Sequence, residues 1–388
     1  MDGGSSRKDA LEIMLKDQNA QPCDLPLQYL REITNDFSSE QELGRGGFGV
    51  VYKGVLPNGE AVAVKTLVPM LQCQKKQFKF EVDNLMRVKH QNIVRFLGYC
   101  YETRYEYIEY NGRHVFAEKP KMLLCFEYMP NGSLDKYISE ESQGLDWHKR
   151  YRIIKGICWG LYYLHNECQI KGSVVHLDLK PENILLDGNM VPKIADFGLA
   201  KLLDEKNTQT CATTLMISRG YMAPEYLFEG IISREADIYS LGVIIIQMIT
   251  GHRVNPYDNV SLCQDFVEHV VKNWRNRMEG APSEADCEHI KSFLEIGLRC
   301  IKINRKERPT IKEITEMLGR WENTYCREEE MPAANQSKRD LGADVSSLPI
   351  RSLDDELADD LELRKAAMPL DFEMWDVDEI NTVSLWSY

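Results

Sequence analysis

The sequence predicts an α+β protein: a small antiparallel sheet with one main helix, then a larger, mostly helical part. Three observations carry this expectation. Val50-Val51-Tyr52, then Pro57-Asn58-Gly59, then Ala61-Val62-Ala63-Val64-Lys65 read as strand, turn, strand. Leu123-Leu124-Cys125-Phe126-Glu127-Tyr128-Met129 is a second apolar run, closed by Pro130-Asn131-Gly132, and reads as a buried strand. From 147 to 165 apolar positions such as Ile154, Ile157, Leu161 and Leu164 recur at helical spacing. Strands early and helices late is the α+β order.

The bulk numbers set limits. The chain of 388 residues can bury one large core or two smaller ones. It is 43% hydrophobic and 28% charged, ordinary for a soluble globular protein. The 11 cysteines lack C-x-x-C spacing and read as reduced, mostly core thiols, which points to the cytoplasm. The longest apolar run, 241–249, is broken by Gly242 and Gln247 and is too short for a transmembrane segment. Position two is Asp2, so the glycine needed for myristoylation is missing. Of the net charge of −13, residues 327–388 carry −10, from 16 acidic and 6 basic side chains. With no basic stripe, nucleic acid is not an expected partner.

The elements follow in order. Residues 1–21 are polar and without a period, and are expected to be mostly disordered. Leu27, Leu30, Ile33 and Phe37 then predict a short helix docked on the following domain. Gly44-Arg45-Gly46-Gly47-Phe48-Gly49 fits G-x-G-x-x-G, which alone is weak. A dinucleotide fingerprint would open a helix after its glycines; here a strand follows, so the loop reads as a hairpin lid. Lys65 ends the next strand and requires an anionic partner if covered. Glu81, on a helix running to about Val88, is the candidate. Residues 93–101 read as a strand, and 105–121, long and tyrosine-rich, as an extended surface hairpin loop open to partner contact.

The chemistry centres on His176-Leu177-Asp178-Leu179-Lys180-Pro181-Glu182-Asn183. One short loop carries a carboxylate, a cation and an amide. Asp196-Phe197-Gly198 adds a second carboxylate, after two short strands about Asp187-Gly188-Asn189. Phosphoryl transfer needs such a set: a group for the hydroxyl proton, a cation against the moving charge, and ligands for Mg²⁺.

The order H-x-D-L-K-P-x-N, D-F-G, then Ala223-Pro224-Glu225 resembles the signature set of eukaryotic protein kinases over about residues 37–320. The resemblance implies a two-lobed protein kinase fold. Its sheet lobe would be 37–127 and its helical lobe 128–320, between an N-terminal extension at 1–36 and an acidic tail at 321–388. It implies ATP and Mg²⁺ as cofactors and protein substrates. Asp178 would take the acceptor proton, Lys180 would offset charge, and Asn183 and Asp196 would hold Mg²⁺. Lys65, paired with Glu81, would grip the α- and β-phosphates. Leu43, Gly44, Arg45, Gly46, Gly47, Phe48, Gly49, Val50 and Val51 would cover the nucleotide. Ala63 would touch the adenine, Phe126 would stand behind it as gatekeeper, and the backbones of Glu127 and Met129 would bond the base. Residues 196–225 would form the activation loop, with Thr208, Thr210, Thr213, Thr214 and Ser218 as candidate phosphorylation sites. Arg308 would pair with Glu225, and Asp237 would cap a helix beneath the catalytic loop.

Within that family the chain is similar to plant receptor-like serine/threonine kinases. The nearest pattern is the grass receptor-like cytoplasmic type with a cysteine-rich-receptor-like kinase domain. Asn35-Asp36-Phe37-Ser38, 46–54, Asn131-Gly132-Ser133-Leu134 and Gly220-Tyr221-Met222-Ala223-Pro224-Glu225 carry the likeness. It implies serine or threonine acceptors, a receptor complex partner, defence-related signalling, and a cytoplasmic chain recruited to the plasma membrane by partners. Leu177 departs from the arginine usual before the catalytic aspartate, and Ile217 from the glycine usual before Ser218. Leucine cannot pair with an activation-loop phosphate. The alternative is a catalytically silent kinase-fold scaffold in a receptor complex. Loss of Lys65, Asp178 or Asp196 would favour it, and all three are present. A metabolite kinase is opposed by the intact Ala223-Pro224-Glu225. The tail mixes acids with Phe372, Trp375 and Trp386 and resembles an acidic, partly disordered interaction segment.

Overall fold

A computed structural model describes residues 10–47, 49–67, 74–110, 112–138, 145–168, 172–203, 210–211, 220–252, 264–277 and 283–329. These fall into two compact units, one of 10–137 with 163–203, the other of 138–162 with 210–329.

In the first unit, helices α1 (Ala10–Lys16) and α2 (Leu27–Ile33) and strand β1 (Cys23–Asp24) precede the main sheet. The sheet continues with β2 (Glu42–Gly46), β3 (Gly49–Val55), β4 (Ala61–Leu67), β5 (Phe96–Tyr110) and β6 (Arg113–Glu127), with helix α3 (Gln74–Leu85) after β4. The strand order is β1-β5-β6-β4-β3-β2, antiparallel except for β1 along β5. Pairing sets Lys65 opposite Val51 on one side and Leu124 on the other.

Successive strand residues point to opposite faces. Val62, Val64, Leu123 and Cys125 go to one face, where they meet Leu11, Met14, Leu25, Leu30 and Ile33. Val51, Ala63, Leu124 and Phe126 go to the other, against Phe78, Val82 and Leu85 of α3. A sheet buried on both faces explains why β4 and the end of β6 are nearly unbroken apolar runs.

The N-terminal segment corrects an expectation. Residues from Ala10 onward are ordered, and Leu11 is fully buried. A lone polar segment cannot offset its chain entropy, but these few apolar residues cover an otherwise wet sheet face. Leu25 N–H donates to Tyr99 O at 2.7 Å, and Leu27 N–H to a Glu102 carboxylate oxygen at 2.7 Å. Gly98 makes room for β1: a Cβ there would lie 2.5 Å from Cys23 O.

Residues 105–121 are also more regular than a loop. β5 and β6 stay paired from Glu102↔Lys121 to Tyr110↔Arg113, so the inward-facing backbone groups of both arms are bonded. Tyr105 stacks on Phe116 with ring centroids 5.3 Å apart. The unit closes with β7 (Ser173–Val175), β8 (Ile184–Leu186), β9 (Pro192–Ile194) and β10 (Lys201–Leu203). β8 pairs with β9, and β10 with β7.

The second unit is helical: α4 (Trp147–Tyr162), α5 (Pro224–Glu229), α6 (Arg234–Thr250), α7 (Gln264–Arg277), α8 (Glu284–Cys300) and α9 (Ile311–Glu329). One short pair, β11 (Thr210–Cys211) with β12 (Ile231–Ile232), joins them. α6 is buried almost all round, as its apolar sequence requires. It approaches α8 closely at Gly242, where a Cβ would sit 2.5 Å from the Cys300 Cβ. Of the seven cysteines whose side chains are described six are buried, which fits small core residues.

Trp147, fully buried, donates from Nε1 to His289 Nδ1 at 3.2 Å. Burial pushes His289 down to about 4, against the opposing pull of Asp286. The folded unit therefore holds this imidazole neutral, while the unfolded chain takes a proton near pH 6.5. The stabilisation is complete above that value and is lost as pH falls towards 4, by up to about 3 kcal/mol. The melting temperature should drop across this window, and His289→Gln, which keeps an acceptor for Trp147, should flatten the drop.

Candidate active site

The loop after β7 is held by its histidine. His176 Nε2 donates to Ala195 O at 2.9 Å, and Asp178 N–H donates to His176 Nδ1 at 3.3 Å. The two bonds together require the proton on Nε2. His176 also meets the Phe197 ring edge-on, 5.0 Å between centroids. Leu177 adopts φ 66° and is buried. This left-handed turn costs a branched side chain energy that burial offsets.

Asp178, Lys180 and Asn183 converge as expected. Asn183 Nδ2 donates to Asp178 O at 2.9 Å and to Asp178 Oδ2 at 2.8 Å. Lys180 Nζ lies 3.1 Å from the same Oδ2. The backbone closes the loop, Asn183 N–H to Lys180 O at 2.9 Å and Ala195 N–H to Asn183 O at 2.8 Å. With its amide nitrogen committed, Asn183 leaves Oδ1 buried and accepting no hydrogen bond.

Lys65 is 2% exposed, and its Nζ lies 2.7 Å from Asp196 Oδ1. Lys65 pairs with Asp196, and its charge also acts on Glu81, the partner the sequence pointed to. Glu81 lines the same small cavity, with Leu85, Val94, Phe126 and Phe197. The two carboxyls are pushed apart. Burial raises Glu81, the charge on Lys65 opposes this, and the charge on Asp196 adds to the rise. Burial would raise Asp196 too, but Lys65 and the Gly198 N–H outweigh it and hold it below the carboxylate range. The lysine thus lies against the carboxyl that is held low, beside one that is held high.

The donor set suits a hard divalent cation. Asp196 is an ionised carboxylate, and Asn183 Oδ1 is a bare amide oxygen two residues' reach away through the Ala195–Asn183 bond. Mg²⁺ is commonly held by one or two protein oxygens together with substrate phosphates.

The lid is strand β2 turning into β3. Gly49 has φ 146°, and a Cβ there would lie 1.8 Å from Thr66 O. Glycine is thus required by the closeness of β4, apart from any phosphate. Gly49→Ala should loosen the base of the lid and weaken ATP binding at least about tenfold, read by nucleotide titration. Val51 and Ala63 are buried together, with Leu43 packed against them. Arg45 turns outward to Glu42, 2.6 Å away, and is 61% exposed. Gly44 and Gly46 lie in β2, Gly47 in the turn, and Val50 at the start of β3. Phe48 lies outside the described residues.

At the other end of the cavity Phe126 is buried against Phe96, 5.5 Å between centroids. Glu127 is locked on three sides. Its Oε1 accepts Arg95 N–H at 2.8 Å and Lys193 Nζ at 2.9 Å, while its own N–H donates to Arg95 O at 3.0 Å. The strap after it turns at Met129, which is buried. No signal in the sequence marks Arg95 and Lys193 as supports of this segment; they are far apart in the chain.

In the helical unit Arg308 meets Glu225 in a two-pronged pair, both contacts 2.7 Å. Asp237 is fully buried in the first turn of α6. Thr208, Thr213, Thr214, Ile217 and Ser218, and all residues from 330 on, lie outside the described residues; Thr210 is described only as backbone.

Residues 37–318 match the protein kinase domain family. The chain belongs to that family. A G-type lectin S-receptor-like serine/threonine-protein kinase of Arabidopsis thaliana is 39% identical over 76% of this chain and 34% of its own length. Cysteine-rich receptor-like protein kinase 41 of Arabidopsis thaliana is 38% identical over 80% of this chain and 46% of its own. The chain thus spans a third to half of these curated relatives. Among solved structures, the pseudokinase domain of BIR2, an immune regulator of the RLK/Pelle family, aligns with a TM-score of 0.57 and 25% identity, covering 79% of this kinase chain and 91% of that one. The protein kinase fold, with its antiparallel-dominated sheet and its helical unit, is the one the sequence predicted. Among the described residues no helix is long and apolar enough to cross a membrane.

Proposed function

We propose that the chain is an ATP-dependent protein serine/threonine kinase, moving the γ-phosphate of ATP to Ser or Thr hydroxyls of protein substrates. One observation supports it above others: Asp178, Lys180 and Asn183 meet within 3.1 Å on a loop bonded to the strand that delivers Asp196. Asp178 accepts the hydroxyl proton, and Lys180 offsets charge on the moving group. Asn183 Oδ1 and Asp196 are the ligands for Mg²⁺, which neutralises charge on the phosphates when bound. Lys65 steers the α- and β-phosphates, with Glu81 behind it. The glycine lid, Ala63, Glu127 and Met129 hold the nucleotide. Such fixed charges carry most of the catalytic effect. Radiolabelled ATP with a generic acceptor protein tests this: transfer by the native chain and about 10²–10⁴-fold less by Asp178→Asn is expected.

Likeness to receptor-like kinases supports a place in receptor-linked, defence-related signalling, with a receptor complex as partner and recruitment from the cytoplasm to the plasma membrane. The buried aliphatic Leu177 offers no donor to a phosphate, so activity should survive phosphatase treatment; a collapse of transfer after loop dephosphorylation would refute this. A silent scaffold is the second reading, favoured by the likeness to the BIR2 pseudokinase domain. No transfer by the native chain, with partner binding intact, would establish it.

A further inference from the structure

A cleft of about 660 Å³ opens on the first unit away from Lys65 and Asp196, between residues 18–22 and the segment that follows α3. Its walls are fixed. Lys89 Nζ donates to Asn19 Oδ1 at 3.2 Å, and Arg95 Nη2 to Asp17 O at 2.7 Å. Lys89 N–H donates to the Tyr163 hydroxyl at 3.0 Å, and His90 stacks on the Tyr163 ring at 5.0 Å. Its floor is apolar, with Leu85, Val88 and Phe96 all buried. Three cations, Arg87, Lys89 and Arg95, line it against one carboxylate, Glu167. The bonds Lys89 and Arg95 make go to neutral oxygens, so their charge is not compensated within the cleft. A basic rim over an apolar floor fits a short peptide that alternates acids with apolar side chains.

The chain carries such a peptide. Asp371-Phe372-Glu373-Met374-Trp375-Asp376 interleaves three acids with three apolar residues. In extended form Phe372 and Met374 share one side and Asp371 and Glu373 the other. The 41 residues between Glu329 and Asp371 reach about 140 Å when stretched, so the tether sets no limit. We propose that residues 371–376 of the tail dock in this cleft of their own chain, Phe372 and Met374 on the floor and Asp371 and Glu373 at Arg87, Lys89 and Arg95. Docking would brace the C-terminal end of α3, the helix that bears Glu81, and so couple the tail to the nucleotide site. The binding does not depend on whether the chain is catalytically active.

Zero-length carbodiimide coupling of lysines to carboxylates in the full chain, mapped by mass spectrometry, tests it. Lys89 should be the main lysine joined to Asp371, Glu373 or Asp376. That product should fall at least fivefold in 1 M salt, in Arg87→Glu, and in Phe372→Ala with Met374→Ala. Arg87 is exposed, and an unchanged melting temperature for Arg87→Glu separates lost docking from lost folding. Coupling spread over exposed lysines with no excess at Lys89, or unaffected by Arg87→Glu, would overturn the proposal. Half the products joining heavy to light chains in an isotope-mixed sample would also overturn it, assigning the cleft to the tail of a second copy.

Discussion

Asp196→Asn should lower phosphoryl transfer by about 10³-fold or more at saturating ATP, because it removes the one fixed negative charge aimed at the cation. It should do so without unfolding the chain. The substitution leaves Lys65, 2% exposed, without its 2.7 Å partner. Stranding a buried charge ordinarily costs about 3–5 kcal/mol. Here a second carboxyl stands by. Glu81 is held up by burial and by the charge on Asp196. Once that charge is gone, nothing competes with the attraction between Lys65 and Glu81, which recovers part of the loss. Lys65→Met has no such relief, since it leaves Glu81 and Asp196 facing one cavity without Lys65. Lys65→Met should therefore melt below Asp196→Asn. Transfer by Asp196→Asn near the native rate would remove Asp196 from the site. The reverse order of melting would remove Glu81 from the electrostatic account.

Arg308→Lys should destabilise the helical unit by about 1–3 kcal/mol, the cost of leaving buried acceptors without donors while the charge is kept. All five guanidinium hydrogens are used. Nη1 and Nη2 serve Glu225 at 2.7 Å each, Nε donates to Lys302 O at 2.7 Å, and the remaining two reach Glu235 O at 2.9 Å and Ile303 O at 3.2 Å. The plane also lies 5.0 Å from the Tyr239 ring. A lysine has three donors and no plane, so it cannot reproduce the fork. Urea titration of the single variants and of Arg308→Lys with Glu225→Gln measures the coupling. The double variant should lose clearly less than the two singles combined; strict additivity would mean the pair is not coupled.

Much of the site was legible because its chemistry is local. Asp178, Lys180 and Asn183 share one short loop, and a turn of that length can bring three side chains together without help. The lid was legible for a similar reason: strand propensity after Gly49 excluded a helix there. Lys65 was legible as a buried cation in need of an anion, but its partner was not. Glu81 and Asp196 are both buried carboxyls in reach, and the hydrogen bonds from Lys65 and the Gly198 N–H, accepted by Asp196, decide which is held low. The order of residues 10–21 was hidden because Leu11 and Met14 are too few to mark a helix by period. They matter only against Val62 and Leu123, and the sequence does not show that the sheet has a second face to cover. Residues 105–121 were legible as an extended hairpin loop, but not the unbroken pairing of its arms, since hairpins of that length are uncommon; cross-strand pairs such as Tyr105 with Phe116, unseen along the chain, sustain it.

By itself, then, the order of residues determined the α+β class, the family and the set of groups proposed for the chemistry, since all of these rest on short-range spacing and side-chain type. The folded chain alone decided which carboxylate holds Lys65, what supports Glu127, and how the N-terminal segment closes the outer sheet face. These depend on burial and on contacts between residues 30 to 130 positions apart, such as Arg95 with Glu127 and Lys65 with Asp196, and desolvation has no signature in a linear sequence.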